Sequence, residues 1–143
     1  MKKSIILFLG SLLFLSVSSA QEPAKIIEQF FSTYPKNIDK AVTDIFKTNN
    51  SSTRKRDEIT KLKNQLIFDV NKVGQYYGFE FISERKIGQS LVLYSYLLKY
   101  ELQPIRFSFI FYYIEEKWVL FKFGYDADVI TELEESAKFY YLE

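Results

Sequence analysis

Tyrosine, the carboxylates and the basic residues are the residue types through which this chain could do chemistry. It has 11 tyrosines, 18 acidic and 19 basic residues, and it has no histidine and no cysteine. The missing types exclude a Ser-His-Asp triad, a thiol nucleophile and a disulfide framework. Acid–base chemistry by a tyrosine or a carboxylate stays open, but histidine is the usual residue for it at neutral pH. The composition therefore favours a protein without catalytic activity.

A few polar groups could still bind ions or charged ligands. Arg85 and Arg106 lie in predicted strands, and either could hold a carboxylate or phosphate through two parallel hydrogen bonds. A cross-strand ion pair between Glu101 and Arg106 is the alternative. The acids of "DAD", residues 126–128, lack the spacing of a calcium loop, and we expect Asp128 to cap the last helix instead. We predict no catalytic residue, no metal site and no cofactor.

The overall charge is balanced, with a formal value of +1. A basic group at residues 54–56 is followed directly by two acids, which is typical of a solvated helix end. The sequence therefore predicts no nucleic-acid partner.

Residues 1–20 have the features of a secretory signal peptide. Two lysines precede an apolar segment at residues 5–15, and the small residue Ala20 suits a cleavage site. The apolar segment is short for a membrane span, although an uncleaved anchor is the alternative. We expect export to the periplasm or exterior of a bacterial cell, with no stable membrane span after cleavage. The mature chain, residues 21–143, is then one domain.

Helical patterns occupy the first half of the mature chain. Apolar residues at intervals of three and four predict helices at about 24–34, from Asn37 to about 46, and at about 54–77. Asn37 is a good N-cap residue, and Gly78 is a natural residue to follow a helix.

Strand patterns occupy the second half. We predict strands at about 79–86, 90–101, 105–115 and 118–125, and a short helix at about 128–138. This order predicts an α+β fold, in which N-terminal helices pack on a curved four-stranded antiparallel sheet that is followed by a short C-terminal helix.

Both faces of this sheet are rich in apolar residues. Two-residue turns at Gln103-Pro104 and Glu116-Lys117 would separate an aromatic face from a second face. The aromatic face would hold Tyr94, Tyr96, Leu98, Tyr100, Phe107, Phe109, Phe111, Tyr113, Trp118, Leu120 and one charge, Lys122. The second would hold Leu93, Leu97, Ile110, Ile114, Val119, Phe121, Phe123 and Tyr125, together with polar residues at one end. The N-terminal helices can cover one face, and the other is too apolar to be left in water. A homodimer interface, the C-terminal helix and tail, or a partner protein could cover it.

The order of these elements and the segment "EKWVLFKFGYD", which ends at Asp126, resemble small exported members of the NTF2-like (cystatin-like) superfamily. The resemblance implies a bent sheet that wraps a long helix to form a cone, often with a cavity at its open end. The superfamily includes enzymes, ligand binders and partner-binding domains, so it implies no single activity. Enzymatic members use an Asp, His or Tyr inside the cone, but no motif here identifies such a residue.

Three functions therefore remain open. The first is an exported, non-catalytic interaction domain that uses a sheet face to bind a second copy or another protein. The second is a carrier of a small apolar ligand in an aromatic cavity, and the third is a histidine-free enzyme. The candidate cavity residues are Tyr94, Tyr96, Phe109, Phe111, Trp118 and Arg106.

Overall fold

The computed structural model describes residues 21–49 and 55–139, which form helices and one sheet. The elements are α1 (Pro23–Thr33), α2 (Ile38–Phe46), α3 (Arg56–Lys72), β1 (Tyr76–Ile87), β2 (Leu91–Tyr100), β3 (Ile105–Ile114), β4 (Lys117–Asp126) and α4 (Val129–Phe139). The strands form an antiparallel sheet in the order β1-β2-β3-β4. The predicted α+β fold is confirmed.

The first two helices begin where their sequences predict. Pro23 starts α1, where its missing N–H costs no hydrogen bond. The Asn37 side chain accepts a hydrogen bond from the backbone N of Lys40 at 2.8 Å and so caps α2.

The third helix is shorter than predicted. It ends at Lys72, because Gly74 adopts a positive φ of 83° and turns the chain out of the helix. The next residues join the sheet, where Tyr76 pairs with Tyr100. Gly78, which was expected to end the helix, lies inside β1 with a φ of 124°. The presence of a glycine does not show which of the two positions ends the helix, since both Gly74 and Gly78 adopt a conformation that glycine favours.

The core forms where the rings of α1 meet the middle of the sheet. The Phe30 ring lies 5.2 Å from that of Phe109 and 5.9 Å from that of Phe123. The ring of Tyr34 meets Phe107 edge to face at 5.4 Å. The face that contacts α1 is called the inner face, and the opposite one the outer face.

The turns differ from the predicted ones, but the strand faces survive at both. Leu98 pairs with Ile105, so residues 99–104 form the β2–β3 connection. It exceeds the predicted two-residue turn by an even number of residues, which leaves each side chain on its predicted face. The β3–β4 turn is at Glu115 and Glu116, which both have positive φ, at 49° and 59°. Two residues with positive φ form the type I′ turn that suits the twist of a hairpin.

A β-bulge in β4 overturns part of the predicted face assignment. Phe111 pairs with Leu120 and Ile110 pairs with Lys122, which leaves Phe121 as an extra residue. A bulge of one residue shifts the alternation of side chains that follow it. Phe123 and Tyr125 therefore lie on the inner face and Lys122 on the outer one, so the prediction for these three residues was wrong.

Replacement of Gly74 tests the end of α3. A Cβ built on Gly74 would lie 2.7 Å from Oε2 of Glu101, and the positive φ adds backbone strain. We expect Gly74→Ala to lower the free energy of unfolding by about 2 kcal/mol, measured by denaturant unfolding.

Two alanine variants separate the causes of that loss. Gly88 has a φ of 59° but nothing within 4 Å, so Gly88→Ala reports backbone strain alone. Gly124 has neither feature, and Gly124→Ala should leave stability nearly unchanged. Equal losses in the Gly74 and Gly88 variants would show that the approach of Glu101 is unimportant.

Candidate functional site

The predicted cavity residues are divided between the two faces of the sheet. Phe109 and Phe111 are fully buried, and Tyr94 and Tyr96 are nearly so. Trp118 is half-buried beside Tyr113, with 5.2 Å between ring centroids. These five residues lie on the inner face, whereas Arg106 precedes Phe107 in β3 and lies on the outer face. The structure therefore does not bring the six residues into one site.

Arg106 is engaged by a carboxylate at the end of β4. Its Nε and one of its terminal nitrogens donate to Oδ2 of Asp126 at 3.2 and 2.9 Å. Arg106 pairs across the sheet with Leu97 and not with Glu101, so the expected Glu101–Arg106 pair is not formed. Glu101 instead accepts a hydrogen bond from the backbone N of Gln75. The β2–β3 connection is longer than assumed, which moves Glu101 away from β3.

A group of tyrosine hydroxyls lies at one end of the inner face. The hydroxyls of Tyr34 and Tyr100 are 2.6 Å apart, and the Tyr76 ring packs against both of these residues. Burial, followed by the neighbouring Tyr100, raises the pKa of Tyr34 well above its ordinary value. Burial also raises the pKa of Tyr76 to about 12. These hydroxyls keep their protons at neutral pH and hold α1 to the sheet.

A tyrosine and an aspartate lie within hydrogen-bond distance beside a cleft, which is an arrangement that a histidine-free enzyme could use. The Tyr125 hydroxyl donates to Oδ2 of Asp69 at 2.8 Å, beside a cleft of about 440 Å³ that Lys72 and Gln103 also line. Hydrogen bonds from Gln65 and then from Tyr125 lower the pKa of Asp69. Burial and the bond to Asp69 raise the pKa of Tyr125.

The two pKa shifts move this pair away from general acid–base chemistry. A good catalytic acid or base has a pKa near the working pH, which requires a raised carboxylate pKa or a lowered tyrosine pKa. Here Asp69 and Tyr125 shift in the opposite directions. The pair can fasten α3 to β4, but it is poorly tuned to transfer a proton.

The outer face consists of cross-strand rows of very different character. One row is Ile87, Leu91, Tyr112 and Val119; the next is Arg85, Leu93, Ile110 and Lys122; the third is Ser83, Ser95, Ser108 and Gly124; and the fourth is Glu80, Leu97, Arg106 and Asp126. The first two rows form an apolar centre, and the second row has a cation at each edge of the sheet. Tyr112 and Ile114 remain substantially exposed there. An apolar surface that is continuous across several strands is a feature of contact sites.

The third row forms a depression across the outer face, because its residues are small. Ser95 is only 3% exposed, although it lies on this face, because larger side chains flank it. Its Oγ has no hydrogen-bond partner among the residues that the structure describes. Because serine is small and glycine has no side chain, a partner could approach the sheet closely at this row.

The inner face is open beside β1. Phe31 stacks on Phe79 with 3.9 Å between ring centroids, and Phe81 meets Tyr96 at 5.6 Å. Phe79 and Phe81 are nevertheless 42% and 56% exposed. These four rings form what we call the β1 groove. Its exposed rings were not among the predicted cavity residues, although the alternation of "FEF" at residues 79–81 gave a signal for them.

The last helix begins at the predicted cap. Both oxygens of the Asp128 carboxylate accept hydrogen bonds from Thr131, and these bonds lower the pKa of Asp128. Within residues 21–49 and 55–139, no helix is long and apolar enough to cross a membrane.

Comparisons of the chain with protein-family models, with curated proteins and with solved structures found no match.

Because of the tyrosine group, we expect the stability of the fold to vary with pH in the alkaline range. A tyrosine whose pKa is higher in the folded than in the unfolded protein stabilises the fold below pH 10, and this contribution disappears as the pH rises towards the folded pKa. We expect the free energy of unfolding to fall from about pH 10 upwards, by about 1.4 kcal/mol per pH unit for each such tyrosine. Tyr34→Phe should remove one of these contributions and flatten the profile, as measured by urea unfolding between pH 8 and about 12.

Tyr77→Phe is the matched control, because Tyr77 is 60% exposed at the start of β1. Its profile should follow that of the unmodified protein. If the Tyr34 and Tyr77 variants had the same slope, burial of Tyr34 would not be the source of the pH dependence.

Proposed function

We propose that this protein is an exported, non-catalytic interaction domain that binds another protein, or a second copy of itself, through the outer face of its sheet. Residues 1–20 would direct export from a bacterial cell, and the domain would be a member of the NTF2-like superfamily. The pattern of two lysines and an apolar segment supports the first point. The order of helices and strands supports the second.

The observation that carries the proposal is the row formed by Arg85, Leu93, Ile110 and Lys122. It places aliphatic side chains at the centre of the sheet and a cation at each edge. Interfaces share this arrangement of an apolar centre and a polar rim. The neighbouring row extends the apolar centre, because it includes the exposed Tyr112.

The polar groups on the inner side favour binding over catalysis. The hydroxyls of Tyr34 and Tyr100 bond to each other, and that of Tyr125 bonds to Asp69. Each bond joins a helix to the sheet. These groups contribute to the fold, which leaves the outer face as the larger unexplained surface.

Site-specific photocrosslinking in the producing cells tests the proposal. A benzoylphenylalanine replaces Tyr112 or Leu97 on the outer face, and in a control it replaces Phe68, an exposed aromatic residue of α3. We expect irradiation to give discrete adducts at the two outer positions, because a probe inside an interface contacts only the bound partner. The proposal would be contradicted if the outer positions gave no adducts, or if they gave no more than Phe68 does.

A second candidate is a carrier of a small apolar ligand, and the β1 groove is the observation that favours it. Exposed rings beside a buried one can stack on a flat apolar molecule. Phe81 is 56% exposed and meets the nearly buried Tyr96. Phe109 and Phe111 are fully buried, so an apolar molecule could reach the inner aromatic surface at this groove but not at its centre.

Binding of the uncharged dye N-phenyl-1-naphthylamine tests the carrier function. We expect its fluorescence to rise on binding, and Phe81→Ser to weaken binding about tenfold or more, because a stacking ring is lost. Phe68→Ser is the control, since Phe68 is also 56% exposed but lies on α3. Equal effects of the two variants would indicate non-specific binding to exposed rings.

A further inference from the structure

The C-terminal helix presents an uncovered apolar side. Ile130 and Leu133 of α4 are 62% and 68% exposed, and Ala137, one turn further, is exposed as well. The spacing of three and four residues places these side chains on one stripe. This stripe makes α4 amphipathic, but nothing among the described residues buries it.

A helix of this length needs a surface to pack on. Helices shorter than about 12 residues are marginal in water, and in proteins they depend on burial of their apolar face. α4 spans 11 residues, from Val129 to Phe139. The cap at Asp128 contributes to its start, but a cap alone is worth only about 1 kcal/mol. The stripe of α4 therefore requires an apolar partner surface.

The outer face has the chemistry that complements α4. The sequence of α4 contains three glutamates and one lysine, and Glu134 is exposed. On the outer face, Arg85, Lys117 and Lys122 form no ion pair with another described residue. Leu93 and Ile110 lie between Arg85 and Lys122. Glu134 lies one turn after Ile130 and borders the stripe, whereas Glu135 pairs with Lys138. The stripe with Glu134 beside it matches an apolar row that ends in cations.

We propose that α4 of one copy docks on the outer face of a second copy, and that the exchange is mutual. The inference rests on the proposed function, because it names the protein that the outer face binds. Two identical contacts would be related by a two-fold axis and would close the assembly as a dimer. Each copy would cover both its exposed stripe and its apolar row.

Direct packing of two outer faces is less suited to these charges. It would bring Arg85, Lys117 and Lys122 of one copy towards the same cations of the other, and like charges at an interface are repulsive. Packing of α4 on the outer face of its own chain is not what the structure shows, since Ile130 and Leu133 remain exposed. Mutual exchange brings Glu134 of one copy to the cations of the other, and it packs the apolar stripe on the apolar row.

Mixing two defective variants tests the exchange. The helix variant carries Ile130→Ser and Leu133→Ser, and the face variant carries Ile110→Asp. The full chain is purified, its N-terminus is read by intact-mass spectrometry, and native mass spectrometry with light scattering measures the oligomeric state. We expect the unmodified protein to be a dimer and each variant alone to be a monomer, with affinity reduced by about a hundredfold or more.

The equimolar mixture gives the decisive result. The helix variant keeps an intact outer face and the face variant keeps an intact α4, so one of the two contacts can form between them. We therefore expect a heterodimer that neither variant forms with itself, and it should dissociate more readily than the unmodified dimer. Absence of the heterodimer overturns the exchange.

The outcomes separate this inference from the proposed function. A helix variant that remains a dimer overturns the exchange but leaves the outer face as an interaction surface. An unmodified protein that is monomeric, or that forms open chains, also overturns the exchange, whereas outer-face adducts in cells would still support a different protein partner. Adducts that fail at Tyr112 and Leu97 overturn the proposed function itself.

A charge-reversed pair keeps the test valid if Ile110→Asp does not fold. Arg85 and Lys122 are exposed, so Arg85→Glu with Lys122→Glu should preserve the fold while weakening the dimer. Addition of Glu134→Lys on the opposing copy should restore affinity by about tenfold. Failure of this rescue, in variants with an unchanged thermal midpoint, overturns the exchange.

Discussion

The packing of α1 against the middle of the sheet is the interaction on which the rest of the structure depends. Phe30 contacts rings on β3 and β4, while Phe31 contacts rings on β1 and β2. One helix turn thus touches all four strands. Aromatic pairs in offset and edge-to-face arrangements add stability beyond their buried area. Because α1 fills the centre of the inner face, the exposed aromatic side chains of that face lie at its margins, at β1 and at Tyr113.

The sequence predicted the order and type of every element, because apolar periodicity depends on local spacing. It also predicted the caps at Asn37 and Asp128, since each needs only a side-chain oxygen a few residues from its partner. The end of α3 was misplaced, because Gly74 and Gly78 have equal freedom and only the pairing of Tyr76 with Tyr100 distinguishes them. Such a contact lies far away in sequence.

The candidate site was predicted only in its outline. The second apolar face was anticipated from alternation, and Leu93, Ile110 and Val119 do lie on it. Phe123 and Tyr125 do not, since no residue type marks the bulge at Phe121 in advance. The cavity residues could not be resolved either, because an aromatic residue in a strand has the same pattern whether a helix covers it or a ligand does.

The polar side chains that first suggested chemistry mostly connect elements of the fold. Tyr125 and Asp69 join β4 to α3, and Arg106 joins β3 to the end of β4 at Asp126. Near the opposite end, Asn49 and Thr48 bond to the backbone of Leu120, and so tie the segment after α2 to β4. Tyr112 and Ile114 are exposed at that end.

The bulge in β4 has a consequence for how the length of this chain could vary during evolution. Loss of the codon for Phe121 would leave a regular strand in which Leu120, Phe123 and Tyr125 still point inward, because the extra residue is the one removed. β1 has two such residues: Ile82 is unpaired between Phe81 and Ser83, and Tyr77 is unpaired between Tyr76 and Gly78. Loss of a codon inside β3 would instead reverse every later side chain of that strand. Related chains that differ by one residue are therefore expected to differ at these three positions.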